Sequence, residues 1–225
     1  MPSKHKMKKG GGARKGSAYE RDLCKRFSLW WSCGQTEDLF WRTSGSGSRA
    51  TNRRRLGKNP NWFDFGDMKH ETPEGLLLVK YLCWEFRSRA KFDLMTAFGT
   101  GSEDQNYSLM ASWAKANYEA DCSDRCPVLV TKSLRKPDIV WMEHKLYLEI
   151  ESIERSYDES GGRGVFDSFA RISVFIPPRT VKYDKNKTYR FESGSLFVGV
   201  PLVDCLFAMD PEGFIECVQT YVSNR

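Results

Sequence analysis

Long apolar runs are missing from this 225-residue chain. No stretch approaches 18 consecutive hydrophobic residues, which excludes a membrane-spanning helix. The basic N-terminus has no apolar segment behind it, so it does not read as a secretory signal. Cysteine and histidine at zinc-like spacing are missing too. Cys122 and Cys126 are four apart, with no partnering Cys or His pair, which argues against a structural zinc site. The seven cysteines are odd in number and scattered, several of them in apolar runs. That is the pattern of reduced thiols in a cytoplasm. No internal repeat is visible.

Acid is missing from two stretches. Residues 1–16 hold Lys4, Lys6, Lys8, Lys9, Arg14 and Lys15 and no carboxylate. The 29 Lys and Arg beyond them equal the 29 Asp and Glu, so the whole formal excess of +6 lies in this segment. Its Gly and Lys content cannot build a core, and it reads as a flexible basic arm ending at residue 16. Between Asp38 and Asp64 there is again no acid, while Arg42, Arg49, Arg53, Arg54, Arg55 and Lys58 supply positive charge. Ser44 and Ser46 lie among glycines in the same run. Glycine lets backbone approach a ligand, and small hydroxyls donate to phosphate oxygens. These residues are the expected nucleic-acid contacts, with DNA as the partner.

What is present suffices for a core: 40% of residues are hydrophobic and 13% aromatic. Residues 17–31 read as a helix, with Tyr19, Leu23, Phe27, Trp30 and Trp31 at helical spacing and Ser17 with Glu20 as a capping box. "DLFWR", residues 38–42, reads as a short strand, and "WFDFGDM" leads into a second strand. The run "LLLVKYLCWEFR" reads as one long central strand covered on both faces. Residues 92–98 and 107–121 read as helical, and "PVLVTK" as a strand. "DIVWMEHKLYLEIESI" reads as a hairpin turning near 143–145, and residues 157–164 as a mobile loop. "ISVFIPP" and "SLFVGVPL" read as strands. The last helix is capped by Asp210 with Pro211 in its first turn. The expected class is α/β with a central mixed sheet flanked by helices, followed by a β/α extension.

Chemistry concentrates in residues 66–89. Asp67 and Glu85 are eighteen positions apart, and Arg87 follows two residues after Glu85. Alternation along a strand sends Cys83, Glu85 and Arg87 to one face and Trp84 and Phe86 to the other, under a helix. An antiparallel pairing through the loop at Pro73 and Gly75 would bring Asp67 to Glu85. Two carboxylates suit Mg²⁺ or Mn²⁺, which prefer hard oxygen ligands. A metal so held activates water and offsets charge on a phosphate.

This constellation resembles the PD-(D/E)XK nuclease superfamily, the restriction-endonuclease-like fold. The resemblance covers about residues 16–142 and is nearest to Holliday-junction-resolvase-like members and phage endonucleases. It is carried by Glu20 in "GSAYERDLCKRF", then "FWRTSGSGS", Gly66-Asp67 and Glu85-Phe86-Arg87, with "SWAKANYEAD" and "CPVLVTK" in the family's order. It implies Asp67 and Glu85 as metal ligands, Glu20 completing or orienting the site, and Arg87 standing where lysine is usual. The catalytic set is then Glu20, Asp67, Glu85 and Arg87. One nuclease-like domain spans residues 17–225, with a core to about 142 and an extension over 143–225. The implied activity is metal-dependent endodeoxyribonuclease hydrolysis of DNA phosphodiesters in the cytoplasm (the host's, for a phage protein), at branched structures, by a homodimer.

Two positions depart from the pattern. Gly66 replaces the usual proline, a minor change by sequence. Arg87 replaces lysine and stays protonated, so it stabilises an anion but shuttles no proton. Lys69, Lys91 and Lys132 are candidates for a lysine from another element. The alternatives are a DNA-binding scaffold that has lost catalysis, and an RNA-processing nuclease. A rival constellation, Asp138 with Glu149 and Glu151, has the outline of a turn, a hairpin and an acidic strand, and reads rather as a surface hairpin.

Overall fold

A computed structural model describes residues 11–43, 53, 56–57, 61–89, 108–159, 171–184, 187–202, 206–207 and 209–225, with the backbone alone at 11–15 and 153–159. Its elements are α1 (Gly11–Trp31), β1 (Phe40–Arg42), β2 (Met68–His70), α2 (Leu76–Tyr81), β3 (Leu82–Arg89), α3 (Leu109–Ser123), β4 (Cys126–Ser133), β5 (Asp138–Glu143), α4 (His144–Glu159), β6 (Ile172–Ile176), β7 (Arg179–Asp184), β8 (Lys187–Phe191), β9 (Ser195–Pro201) and α5 (Pro211–Ser223). Short 3₁₀ turns occupy Trp62–Asp64 and Pro73–Gly75.

Five strands form one mixed sheet in the order β3-β4-β5-β9-β6. β3 and β4 are parallel and every other pair is antiparallel. Strand alternation gives the sheet two apolar faces. Trp84, Phe86, Val128, Val130, Val140, Met142, Val198 and Val200 look toward α1, α4 and α5. Leu129, Trp141, Phe197, Val174 and Ile176 look toward α3 and the β7–β8 hairpin. The protein is α/β, with a mixed five-strand sheet flanked by helices. Among the described residues no helix is long and apolar enough to cross a membrane.

Helix α1 buries Tyr19, Leu23 and Phe27, and Phe27 lies 4.6 Å from the Trp84 ring and 6.1 Å from Phe86. The helix begins at Gly11, so Ser17 is interior and does not cap it; residues 11–16, assigned to the basic arm by sequence, are helical. Ser108 caps α3 by accepting from the Ala111 amide, and Asp210 caps α5 by accepting from Gly213.

Two sequence expectations are overturned. The run at 76–89 is not one strand, because Leu76–Tyr81 is a helical turn and a half that feeds β3. Periodicity alone does not separate a short buried helix from a buried strand. Pro73 starts the preceding turn, and carbonyls at the helix end find side-chain donors: Arg125 Nη1 donates to Val79 O and Leu82 O. β3 is also an outer strand of the sheet rather than a central one. The second correction is the hairpin at 143–145, where α4 begins instead. Leu146, Tyr147 and Ile150 are buried at helical spacing, and no glycine or asparagine is present there to make a tight turn. Residues 157–159 close this helix rather than opening a loop. The expected helix at 92–98 lies outside the described residues.

Gly199 sits opposite Trp141 in the β5–β9 register, and a Cβ there would come within 2.4 Å of the indole ring. The ring is held by its Nε1 donating to Thr131 Oγ1 at 2.9 Å. Gly199→Ala is therefore expected to destabilise the fold by about 1–3 kcal/mol. Urea denaturation would measure this, and Trp141→Leu in the same chain should recover part of the loss.

Candidate functional site

The outer edge of β3 presents backbone groups that no neighbouring sheet strand meets. The segment leading into β2 meets them. The Asp67 amide donates to Trp84 O at 2.6 Å, and Asp67 Oδ2 accepts from the Phe86 amide at 2.8 Å. Asp67 is thereby fixed against β3 with 1% of its surface exposed. It does not arrive by the expected route, since β2 pairs with β1 and not with β3. The carbonyl of Asp67 accepts from the Thr43 amide at 3.0 Å, which ties the end of β1 to the same point.

Gly66 makes this approach possible. Its φ is +81°, and a Cβ would lie 2.9 Å from Trp84 O. Its amide donates to Glu119 Oε2 at 2.8 Å. Proline fits none of these conditions, because it lacks the N–H and holds φ near −65°. Glycine in place of proline is thus a structural requirement here, not a minor change. Arg125 anchors the preceding turn. Its Nη2 donates to Trp62 O at 3.2 Å and Phe65 O at 2.8 Å, while Nη1 reaches Val79 O and Leu82 O. One buried guanidinium ties the turn to the α2–β3 junction.

Glu85 points to the other side of β3, with no exposed surface. Lys115 on α3 donates to both its oxygens, at 2.7 and 2.8 Å, and Arg87 pairs with Oε1 as well. Lys115 also meets Glu119 Oε1 at 3.1 Å, one helical turn along. Burial would lower the Lys115 pKa, but Glu119 and Glu85 together raise it, so the ammonium stays charged. The Glu85 carboxyl is pushed above the usual carboxylate range, by burial first and also by the Asp67 charge, against the pull of Arg87 and Lys115.

Glu20 completes the group from α1. Its Oε2 accepts from Arg42 Nε at 2.8 Å, and its pKa is raised by burial and then by Asp67. The guanidinium of Arg87 lies in the field of Glu85, Asp67, Glu119 and Glu20. The structure thus brings together all four residues expected to be catalytic, and Arg42. It adds Lys115 and Glu119, which sequence reasoning missed. Their signal was a charged pair at i, i+4 in the Ala-rich run "SWAKANYEAD".

Of the three lysines first considered, the two that are described pair with other acids. Lys69 pairs with Glu71, Lys132 lies 3.6 Å from Asp138, and Lys91 is outside the described residues. Arg53 pairs with Asp64 at 2.9 Å. Ser44, Ser46, Arg49, Arg54, Arg55 and Lys58 lie outside the described residues. The rival acidic constellation does not assemble as a strand motif. Glu149 and Glu151 are on helix α4, and Glu151 accepts from Arg171. Asp138 is held by Tyr19 at 3.1 Å and Arg26 at 2.5 Å.

Among the described residues no three His, Cys, Asp or Glu groups converge as a ready metal cage. Asp67 Oδ1, however, is buried without a hydrogen-bond partner in the protein. Carboxylates are rarely left so unless something else binds them. Mg²⁺ commonly takes only one or two carboxylates, with waters and substrate phosphate for the rest. Asp67 offers one such oxygen, while both oxygens of Glu85 are engaged by Lys115.

Comparison with protein-family models, with curated proteins and with solved structures finds no match. The functional reading therefore rests on the site itself.

Gly66→Ala tests the placement of Asp67. A left-handed conformation and a contact with backbone oxygen combine at that position. The variant is expected to lose about 1–3 kcal/mol of stability, read as a lowered urea midpoint.

Proposed function

We propose that the protein is a metal-dependent endodeoxyribonuclease with a restriction-endonuclease-like core, acting on DNA in a cytoplasmic setting and as a homodimer. The observation that carries this reading is Asp67, clamped to the edge of β3 with one buried oxygen unpartnered, beside the Glu85–Lys115 pair.

Charge supports it. The acids gathered here are Glu20, Asp67, Glu85 and Glu119; the cations are Arg42, Arg87 and Lys115. By formal count four acids face three cations in a poorly solvated place; burial is the first cause of the raised pKa values of Glu20 and Glu85, and the Asp67 charge adds to it. A divalent cation would reverse the sign of that formal count, and the single charge of a phosphodiester would bring it to zero. Asp67 and Glu85 would hold Mg²⁺ or Mn²⁺, which when bound supplies an activated water and charge neutralisation at phosphate.

The chain's own residues do the rest. Lys115 is held protonated by its two acids, so it stabilises developing negative charge and is not a proton acceptor. Arg87, in the position where the resembled family has lysine, is a second permanent cation at the same carboxylate. Glu20 fixes Arg42 on the β1 side, where the basic Gly- and Ser-rich segment departs.

A second reading is favoured by one observation: both oxygens of Glu85 are already engaged by Lys115. On that reading the cluster is a structural ion network in a DNA-binding scaffold. A cleavage assay decides. With Mg²⁺ or Mn²⁺ and a panel of branched, duplex and single-stranded DNAs and an RNA, the wild type is expected to cut DNA. Asp67→Ala and Glu85→Ala are each expected to abolish cutting; Asp67→Ala should leave DNA binding nearly intact, while Glu85→Ala should also lower the melting temperature, because it leaves Lys115 and Arg87 short of a buried partner. A wild type that binds but cuts no DNA supports the scaffold, and one that cuts only RNA supports the RNA-processing alternative.

The basic N-terminus gives a further test. Because α1 begins at Gly11, a clean deletion covers residues 1–10 and removes Lys4, Lys6, Lys8 and Lys9. Each duplex phosphate contact lowers the salt slope by about 0.9. Full engagement of these four lysines predicts a slope change approaching about four on a salt titration of one duplex. Equal slopes would mean that this segment does not touch DNA.

A further inference from the structure

A second buried, unpartnered oxygen belongs to the residue whose backbone is bonded to Asp67. Thr43 follows β1 and is 4% exposed, and its Oγ1 has no hydrogen-bond partner in the protein. Its amide donates to the Asp67 carbonyl, so the two residues are one backbone hydrogen bond apart. Asp67 Oδ1 is unpartnered too, and the two oxygens do not bond each other. A buried hydroxyl without a partner is costly, and two such oxygens on hydrogen-bonded residues are not expected by chance. Valine has nearly the shape of threonine and would fill the place without that cost. A hydroxyl is useful there only if something binds it.

Three properties of the place narrow the ligand. The neighbouring acids Asp67, Glu20, Glu85 and Glu119 outnumber the cations Arg42, Arg87 and Lys115 by one in formal charge. The unpartnered atoms are both oxygens. The carboxylate oxygen accepts only, so the ligand is a donor or a cation. An anion is excluded, and a hard divalent cation fits, since Mg²⁺ takes threonine hydroxyls alongside carboxylates and water.

We propose that Thr43 is a further binding residue of this site. Its Oγ1 and Asp67 Oδ1 share one divalent cation, the hydroxyl engaging the cation directly or through one of its waters. This deepens the nuclease reading and rests on its metal requirement, but it concerns binding and not turnover. It also gives the "RTSGSGS" stretch a division of roles: Arg42 pairs with Glu20, and Thr43 faces the metal.

The test uses the full chain and Mn²⁺ alone, followed by electron paramagnetic resonance of free Mn²⁺, with melting temperatures measured with and without Mg²⁺. Thr43→Val is expected to melt at or above the wild-type temperature without metal. Its Mn²⁺ affinity is expected to fall about tenfold or more, and its Mg²⁺-induced rise in melting temperature to shrink. Thr43→Ser should restore both. If Thr43→Val does not fold, Thr43→Ala carries the same measurements.

Wild-type Mn²⁺ affinity in Thr43→Val, with binding lost in Asp67→Ala, overturns the role of Thr43 and leaves the metal site standing. A melting temperature that drops without metal, at unchanged Mn²⁺ affinity, overturns it in favour of a structural water held by the two oxygens. If the wild type binds no Mn²⁺, or Asp67→Ala binds it equally well, this proposal and the metal requirement fall together.

Discussion

A carboxylate with no surface in water stands in the middle of an apolar strand, and the elements around β3 are placed to keep Glu85 there. Breaking a buried ion pair costs about 3–5 kcal/mol, so the pairing constrains the geometry more tightly than any single apolar contact. Lys115 reaches both oxygens of Glu85 only if α3 lies on this face of β3 at one rotation about its axis. That rotation also brings Glu119, one turn on, to the amide of Gly66. Strand, helix and turn are therefore locked by one chain of charged hydrogen bonds: Glu85, Lys115, Glu119, Gly66.

The sheet edge and the site are one feature for the same reason. An outer strand usually needs protection from pairing with another chain. Here Trp84 O and Phe86 N are taken by Asp67, so the bonds that cover the edge also orient the acid. Arg125 supports this from behind, joining the turn at Trp62–Phe65 to the end of α2 through four carbonyls. The same side chain donates to Ser123 Oγ and lies over the Trp62 ring, and the joint effect is to fix where Gly66 and Asp67 fall along β3.

Much of this was legible in the residues. The two-residue period placed Trp84 and Phe86 under α1, and Glu85 and Arg87 on the opposite face. The α5 cap at Asp210 was readable because its chemistry is local. What failed was non-local or ambiguous. "LLLVKY" is apolar at every position but Lys80, and only tertiary contacts make it a helix. "HKLYLEIESIERSYDE" carries helical spacing that was mistaken for a hairpin's alternation. Lys115 is thirty residues from Glu85, and no spacing rule connects a helix residue with the strand it will face. The positive φ of Gly66 depends on how closely the chain passes Trp84, which composition does not encode. The β7–β8 hairpin was passed over altogether, for its strands alternate but bury only Val181 and Phe191.

The occupied state of Glu85 bears directly on whether the site can bind metal. A cation approaching Glu85 must compete with Lys115. If Lys115 had no other partner, the exchange would strand an ammonium in a poorly solvated place and would be strongly opposed. It does have one. Glu119 Oε1 lies 3.1 Å from the same nitrogen, and the long flexible stem of lysine allows the head to shift between the two acids. On the proposed reading, exchange at Glu85 would trade one cation for another, while Lys115 stayed paired with Glu119. Arginine at this helix position would be a poorer choice, since its planar fork commits to two-point geometry. The arrangement therefore combines a rigid arginine at position 87 on the strand with a movable lysine at position 115 on the helix. On the proposed reading, the ion network that holds β3 and α3 together is also the one that would yield to a divalent cation.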